Sequence, residues 1–173
     1  MIRLIAAGDR RLMLRVNRWL APRWIQRWMV YASRAGNGWL WIALGGIILL
    51  LGGERRFKAL EAGAFSAGAG MAIFLALKHA IGRERPCAME THCWASLLPP
   101  DRFSFPSGHT ITAFAVAVPL GLCYPSLLAG LLFCALSVAA SRILLGLHYL
   151  SDVLAGIAIG AGLGLAAFWW VVR

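Results

Sequence analysis

The sequence predicts an all-α fold: an integral membrane helical bundle of about five transmembrane helices, preceded by N-terminal amphipathic helices lying in the membrane interface. Three observations predict it. Of the 173 residues, 60% are hydrophobic and only 14% are charged, against roughly 25% charged in ordinary soluble chains. That leaves too little polar surface to cover a water-soluble globule. The apolar residues gather in long runs separated by short polar links. No run alternates with the period of two that a half-buried strand requires.

The elements follow in chain order. Residues 1–35 form the amphipathic region. Along RRLMLRVNRWL, Arg11, Arg15 and Arg18 fall on one helical face, and Leu12, Val16, Trp19 and Leu20 on another. After Ala21 and Pro22, Arg23 and Arg27 oppose Trp24, Trp28 and Tyr31. Arginine on one face and tryptophan on the other describes a helix at the headgroup level; a partner-binding cytoplasmic helix is the alternative. Residues 36–173 form the second region, with apolar runs at 38–53, 62–77, 110–123, 126–141 and 153–172. A span needs about 20 mostly apolar residues. Only the last run reaches that alone, and the others draw on flanking residues such as Lys78, Tyr124 and Ile143. Gly156, Gly160 and Gly164 recur at the small-xxx-small spacing that lets helix backbones approach closely in lipid.

Charge gives sidedness. The formal net charge is +10, and Arg3, Arg10, Arg11, Arg15, Arg18, Arg23, Arg27 and Arg34 all precede the first long apolar run. Basic residues flanking apolar runs suit anionic lipid headgroups; there is no basic stripe on a soluble domain to suggest nucleic acid. The link carrying Arg55, Arg56 and Lys58 belongs in the cytoplasm by the positive-inside rule. Alternation then carries His79, His92, His109 and His148 to the outer face, together with Lys78, Arg83, Arg85, Arg102, Arg142 and Asp152. It also carries the arginine-rich N-terminus outside, against the same rule, a conflict that helices lying flat would soften. No cleavable signal is expected, since Asp9, Arg10 and Arg11 interrupt the first short apolar stretch.

Ionisable groups at a hydrocarbon boundary are expensive and mark function by default. They fall into three clusters. In KHAIGRERP, Lys78 and Arg85 lie two helical turns apart and so on one face, with Pro86 ending the helix. In PSGHT, Ser107 is a candidate helix cap, Gly108 permits close backbone approach, and His109 stands beside a helix start suited to an anion. In SRILLGLHYLSD, His148 and Asp152 are four apart, so a carboxylate could fix the imidazole tautomer. Each cluster alone has a structural explanation: a charged helix end, a serine cap, an i,i+4 pair. Together they suit phosphoryl transfer. Lys78, Arg85 and Arg142 would neutralise phosphate oxygens, His148 would attack phosphorus and His109 would protonate the leaving oxygen. No carboxylate cluster suited to Mg²⁺ appears, so no metal and no cofactor is expected.

Lys78-x6-Arg85-Pro86, Pro106-Ser107-Gly108-His109 and Ser141-Arg142-x5-His148-x3-Asp152 resemble the three-part signature of type 2 phosphatidic acid phosphatases. That superfamily includes glucose-6-phosphatase and the vanadium haloperoxidases. The resemblance covers residues from about 36 to 172. It implies metal-independent dephosphorylation of a lipid through a phosphohistidine on His148, with His109 as acid and Asp152 orienting the nucleophile. It also implies phosphate binding by Lys78, Arg85, Ser107, Gly108, His109 and Arg142. Undecaprenyl diphosphate is then the leading substrate, in a bacterial inner membrane with the site facing the periplasm. Phosphatidic acid, phosphatidylglycerophosphate and lipid A phosphate follow, as does a lipid phosphotransferase. The only partners expected are the phosphorylated lipid and membrane lipids, with no nucleic acid and no obligatory protein. A transporter is the rival of another class, disfavoured because the middles of the apolar runs carry almost no charge. In the outer link, Cys87 and Cys93 could form a disulfide or remain reduced, and a zinc site with His79 or His92 lacks suitable spacing. Cys123 and Cys134 read as packing residues.

Overall fold

The computed structural model describes residues 2–89 and 102–173, all helical apart from turns and one isolated antiparallel bridge between Glu84 and Phe103. The α-helices are α1 (Ile2–Arg18), α2 (Arg23–Ala35), α3 (Trp39–Leu51), α4 (Arg56–Ile81), the single turn α5 (Pro86–Met89), α6 (Gly108–Cys123), α7 (Leu128–Leu144) and α8 (Leu150–Ala167). Among the described residues, three segments are long and apolar enough to cross a membrane: Gly53–Ile81, Pro125–Leu144 and Leu150–Val172. The pair α2 and α3 passes the same test together, bent by 63° at its break.

Helix α6 is the axis of the bundle. It buries Ile111, Ala113, Phe114, Ala115, Ala117 and Leu120 among α4, α7 and α8. The outward faces of these three helices carry exposed Phe65, Leu75, Phe133, Leu136 and Leu154. An apolar exterior around a tightly packed interior is what lipid as solvent permits. The glycine stripe of α8 faces α6. A Cβ on Gly160 would stand 2.4 Å from the Ile111 carbonyl oxygen, and one on Gly164 would stand 2.8 Å from Pro119 Cδ.

Pro119 inside α6 has no N–H, so the carbonyl of Ala115, four residues earlier, loses its intrahelical donor. The Ser66 hydroxyl of α4 is buried and lies 2.6 Å from that oxygen, and it also approaches Ala62 O at 2.8 Å in its own helix. One side chain thus reconciles a proline break with a medium that offers no water.

Two elements differ from the sequence reading. Residues 23–35 were placed with the surface helices, but α2 lies along α7. Met29 packs with Leu145 and Leu147, and Trp28 meets Phe133 edge-on at 5.7 Å. Helix α3, with 13 residues, reaches only about 20 Å, short of a hydrocarbon core of about 30 Å, and it has the length and composition of a span only when taken together with α2. Helix α4, in turn, stops at Ile81 instead of running to Pro86. Gly82 adopts φ 60°, and its N–H bonds Lys78 O at 3.1 Å. Lys78 and Arg85 therefore do not share a helical face; Arg85 arrives from the link that follows.

Candidate active site

A cavity of about 480 Å³ opens where α6 and α8 begin and α4 and α7 end. Six sequence-predicted residues line it: Lys78, Arg85, Gly108, His109, Arg142 and His148. Asn37, Met71, Phe74 and Thr112 complete much of the wall. Ser107 and Asp152, also predicted, are fully buried behind it. Among the described residues that line the cavity there are three cations and no carboxylate, so its electrostatics call for an anion.

His148 does not lie on a helix. Gly146, with φ 71°, turns the chain after α7, and the N–H groups of Leu147 and His148 both bond Arg142 O at 3.0 Å. The buried ring donates from Nδ1 to the carbonyl of Ser104 at 2.6 Å. Nε2 therefore carries a lone pair toward the cavity, where it accepts from Arg85 Nη1 at 2.9 Å. The same Arg85 nitrogen donates to Leu147 O at 2.9 Å. Burial above all pushes the imidazole down to about 4, and the charges of Arg142 and Arg85 act in the same direction. A neutral ring with a lone pair aimed among cations has the chemistry that nucleophilic attack requires.

Asp152 was expected to hold that ring directly. Its Oδ2 stands 3.8 Å from Nδ1, beyond hydrogen-bond range. This oxygen instead accepts from the Tyr149 N–H at 2.8 Å, capping α8, and Oδ1 accepts from Arg83 Nη1 at 2.8 Å. The geometry differs because α8 begins only at Leu150, so residues 148 and 152 do not share a helical face. Arg83 continues the network. Its Nη2 meets Asp9 at 2.8 Å, and Asp9 Oδ1 accepts from the Ser151 N–H at 3.1 Å. Asp9, 5% exposed, fastens α1 to the start of α8 one residue from Asp152.

The other predicted groups sit as follows. Ser107 occupies the N-cap position of α6, yet its hydroxyl pairs with Thr110 Oγ1 at 2.9 Å and caps no backbone N–H. The first-turn N–H groups of a helix lack intrahelical acceptors, which leaves this start suited to phosphate oxygens. Gly108 presses on Phe74, whose ring lies 3.1 Å from where a Cβ would stand. Lys78 extends over the same ring at 5.0 Å. Arg142 is buried and donates to the hydroxyl of Ser33 on α2. His109 Nε2 lies 2.7 Å from the amide oxygen of Asn37.

Away from the cavity, His79 is exposed, its Nδ1 bonded to Leu75 O at 2.9 Å. His92, Cys93 and hence the possible Cys87–Cys93 bridge lie outside the described residues. Cys123 is buried in the core, with Cys134 packed against it. Among the described residues no group of three His, Cys, Asp or Glu side chains gathers as a metal site would. The sequence reading missed Ser104, Asn37, Ser33 and Asp9. Only Asn37 carried a signal, as a polar residue between two glycines at the edge of an apolar run.

The profile of the PAP2 superfamily matches residues 61–173. The decaprenylphosphoryl-5-phosphoribose phosphatase of Mycobacterium tuberculosis is 38% identical over 131 residues, covering 73% of this chain and 68% of that protein. The lipid A 1-phosphatase of Rhizobium johnstonii is 38% identical over 93 residues, covering 51% of this chain and 38% of that one. The fold matches Aquifex aeolicus LpxE with a TM-score of 0.79 at 22% identity, over 92% of this chain and 94% of that one. It matches a Bacillus subtilis PAP2-type phosphatidylglycerolphosphate phosphatase with a TM-score of 0.73 at 23% identity, over 95% and 84%.

Proposed function

The chain belongs to the PAP2 superfamily and is a membrane lipid phosphatase, and we propose that it removes the terminal phosphate of a polyprenyl-carried headgroup through a phosphohistidine on His148. One observation carries the chemistry: His148 Nε2 points its lone pair into a cavity that also holds Lys78, Arg85 and Arg142. The incoming phosphate draws Arg85 from Nε2 onto its own oxygens, which frees the lone pair. Nε2 attacks phosphorus, the P–O bond to the lipid breaks, and His109 gives a proton to the departing oxygen. Ser104 O keeps the Nδ1 hydrogen, and thus the tautomer, throughout. In the second half a water attacks the phosphohistidine, His109 takes its proton, and the P–N bond breaks to release inorganic phosphate. The three cations and the α6 start stabilise the charge spread over the equatorial oxygens, a task that a metal performs elsewhere.

The substrate class follows from two supports. The mycobacterial relative is named for a decaprenyl-carried phosphoribose, and Met71 and Phe74 give the cavity an apolar side next to its cations. Undecaprenyl diphosphate shares both features, a polyprenyl tail and a terminal phosphate. Such substrates fit a site on the outer face of a bacterial cytoplasmic membrane. Phosphate release from a panel in detergent micelles tests the choice. The panel holds decaprenylphosphoryl-5-phosphoribose, undecaprenyl diphosphate, lipid A 1-phosphate, phosphatidylglycerophosphate and phosphatidic acid. The polyprenyl substrates should give the highest kcat/KM, and preference for a diacylglycerol or glucosamine lipid would overturn the polyprenyl assignment.

A further inference from the structure

Asn37 lies outside all three motifs, in the turn between α2 and α3, yet it lines the same cavity as His148. Its amide oxygen is 2.7 Å from His109 Nε2. That oxygen has no hydrogen to give, so Nε2 carries one and donates it. The contact is held on both sides. Gly36 is buried, and a Cβ there would stand 2.8 Å from Val138 Cγ1 and 3.2 Å from His109 Cδ2. Gly38 turns the chain with φ 111°. The break between α2 and α3 therefore presses one amide against one imidazole.

We infer that Asn37 is the positioning residue of the general acid, fixing which nitrogen of His109 delivers the proton. The inference rests on His109 being that acid. With Nε2–H donated to Asn37, we place the delivered proton on Nδ1. The doubly protonated ring gives the Nδ1 proton to the lipid oxygen as the P–O bond breaks, and the neutral ring that remains keeps its hydrogen on Nε2. In the second half Nδ1 takes a proton from the attacking water, and the cycle closes. The titratable and charged groups that line the same cavity as His109 are Lys78 from α4, Arg85 from the link after it, Arg142 from α7 and His148 from the turn before α8.

The role has a signature that a structural contact lacks. An alkyl oxygen leaves only when protonated, whereas para-nitrophenolate leaves unaided, so general-acid help matters for the first and little for the second. In detergent micelles, Asn37→Ala and Asn37→Ser should lower kcat on phosphatidic acid about 10- to 100-fold at unchanged KM, while kcat on para-nitrophenyl phosphate stays within about twofold. Asn37→Asp keeps an acceptor oxygen and should restore most of the loss. Equal losses on both probes, or a rise in KM alone, would overturn the inference. His109→Ala separates the two readings. If it shows the leaving-group dependence and neither Asn37 variant does, the acid stands and Asn37 falls; if His109→Ala lacks it, both fall. If phosphatidic acid is not turned over, decaprenylphosphoryl-5-phosphoribose, whose leaving oxygen is also an alkyl one, takes its place, and the same comparison decides.

Discussion

His148 hangs from the backbone of Ser104: its Nδ1 lies 2.6 Å from that carbonyl oxygen, while Asp152 stands 3.8 Å away with both oxygens committed elsewhere. The nearest acceptor for Nδ1 is therefore a main-chain group that substitution leaves in place, with Asp152 as the farther charge partner. His148→Ala should abolish phosphate release. Asp152→Asn should lower kcat by only about 10- to 100-fold, below the roughly 10⁴-fold seen where a carboxylate holds the imidazole directly. Single-turnover phosphate release on both variants checks this, and equal losses would return the orienting role to Asp152.

The same ring should stay neutral in acid. Its value in the fold is about 4, lowered by burial from the ordinary 6.5. Between those two pH values an exposed imidazole takes up a proton and His148 does not, so the nucleophile remains competent. The sign for stability is the reverse. The unfolded chain binds the proton that the fold refuses, so stability contributed by this residue falls as pH drops from 6.5 toward 4. Imidazole ¹⁵N shifts followed by NMR in micelles should show no protonation of His148 down to about pH 5.

Vanadate mimics pentacoordinate phosphorus and should compete with substrate in the unaltered protein. Arg142→Ala should weaken it by about 10-fold or more, since truncating one charge-assisted donor costs roughly 1.5–3 kcal/mol. Chelator treatment should leave turnover unchanged if Lys78, Arg85 and Arg142 carry the charge. Inhibition constants and activity after dialysis against chelator measure both.

Asp9→Asn should release α1 from the start of α8. It halves the carboxylate partners of Arg83, which bridges Asp9 and Asp152 at 2.8 Å each. Limited proteolysis should then cut within α1 sooner than in the unaltered protein, with kcat lowered and KM little changed. Unchanged protection would show that packing alone holds the helix.

Ser66→Ala should lower thermal stability in detergent by about 0.6–1.7 kcal/mol, the range for interhelical hydrogen bonds in membranes. Restoring the backbone donor with Pro119→Ala should make the Ser66 substitution cheaper, a coupling that a double-mutant cycle reads directly.

Much of this was legible in the sequence, and the rest follows a pattern. Cation and histidine types at fixed spacing identified five of the cavity's lining residues, because side-chain chemistry is written in residue identity. Ser104 acts through its carbonyl, which every residue has. Asn37, Ser33 and Asp9 act across 72, 109 and 142 positions of chain, and such closure is set by packing. The length of α4 was misjudged because a left-handed glycine stopped it before the proline could. The packing of residues 23–35 along α7 was not legible, because an arginine and tryptophan pattern does not say whether a helix also lines a neighbour.

The enclosed helix α6 has 16 residues, about 24 Å at 1.5 Å per residue, against a hydrocarbon slab of about 30 Å. If its far end reaches one water boundary, its histidine-bearing end stops roughly 6 Å below the other. On that placement the cavity would open beneath the bilayer's lip, and a lipid could present its phosphate while its tail never leaves the oil.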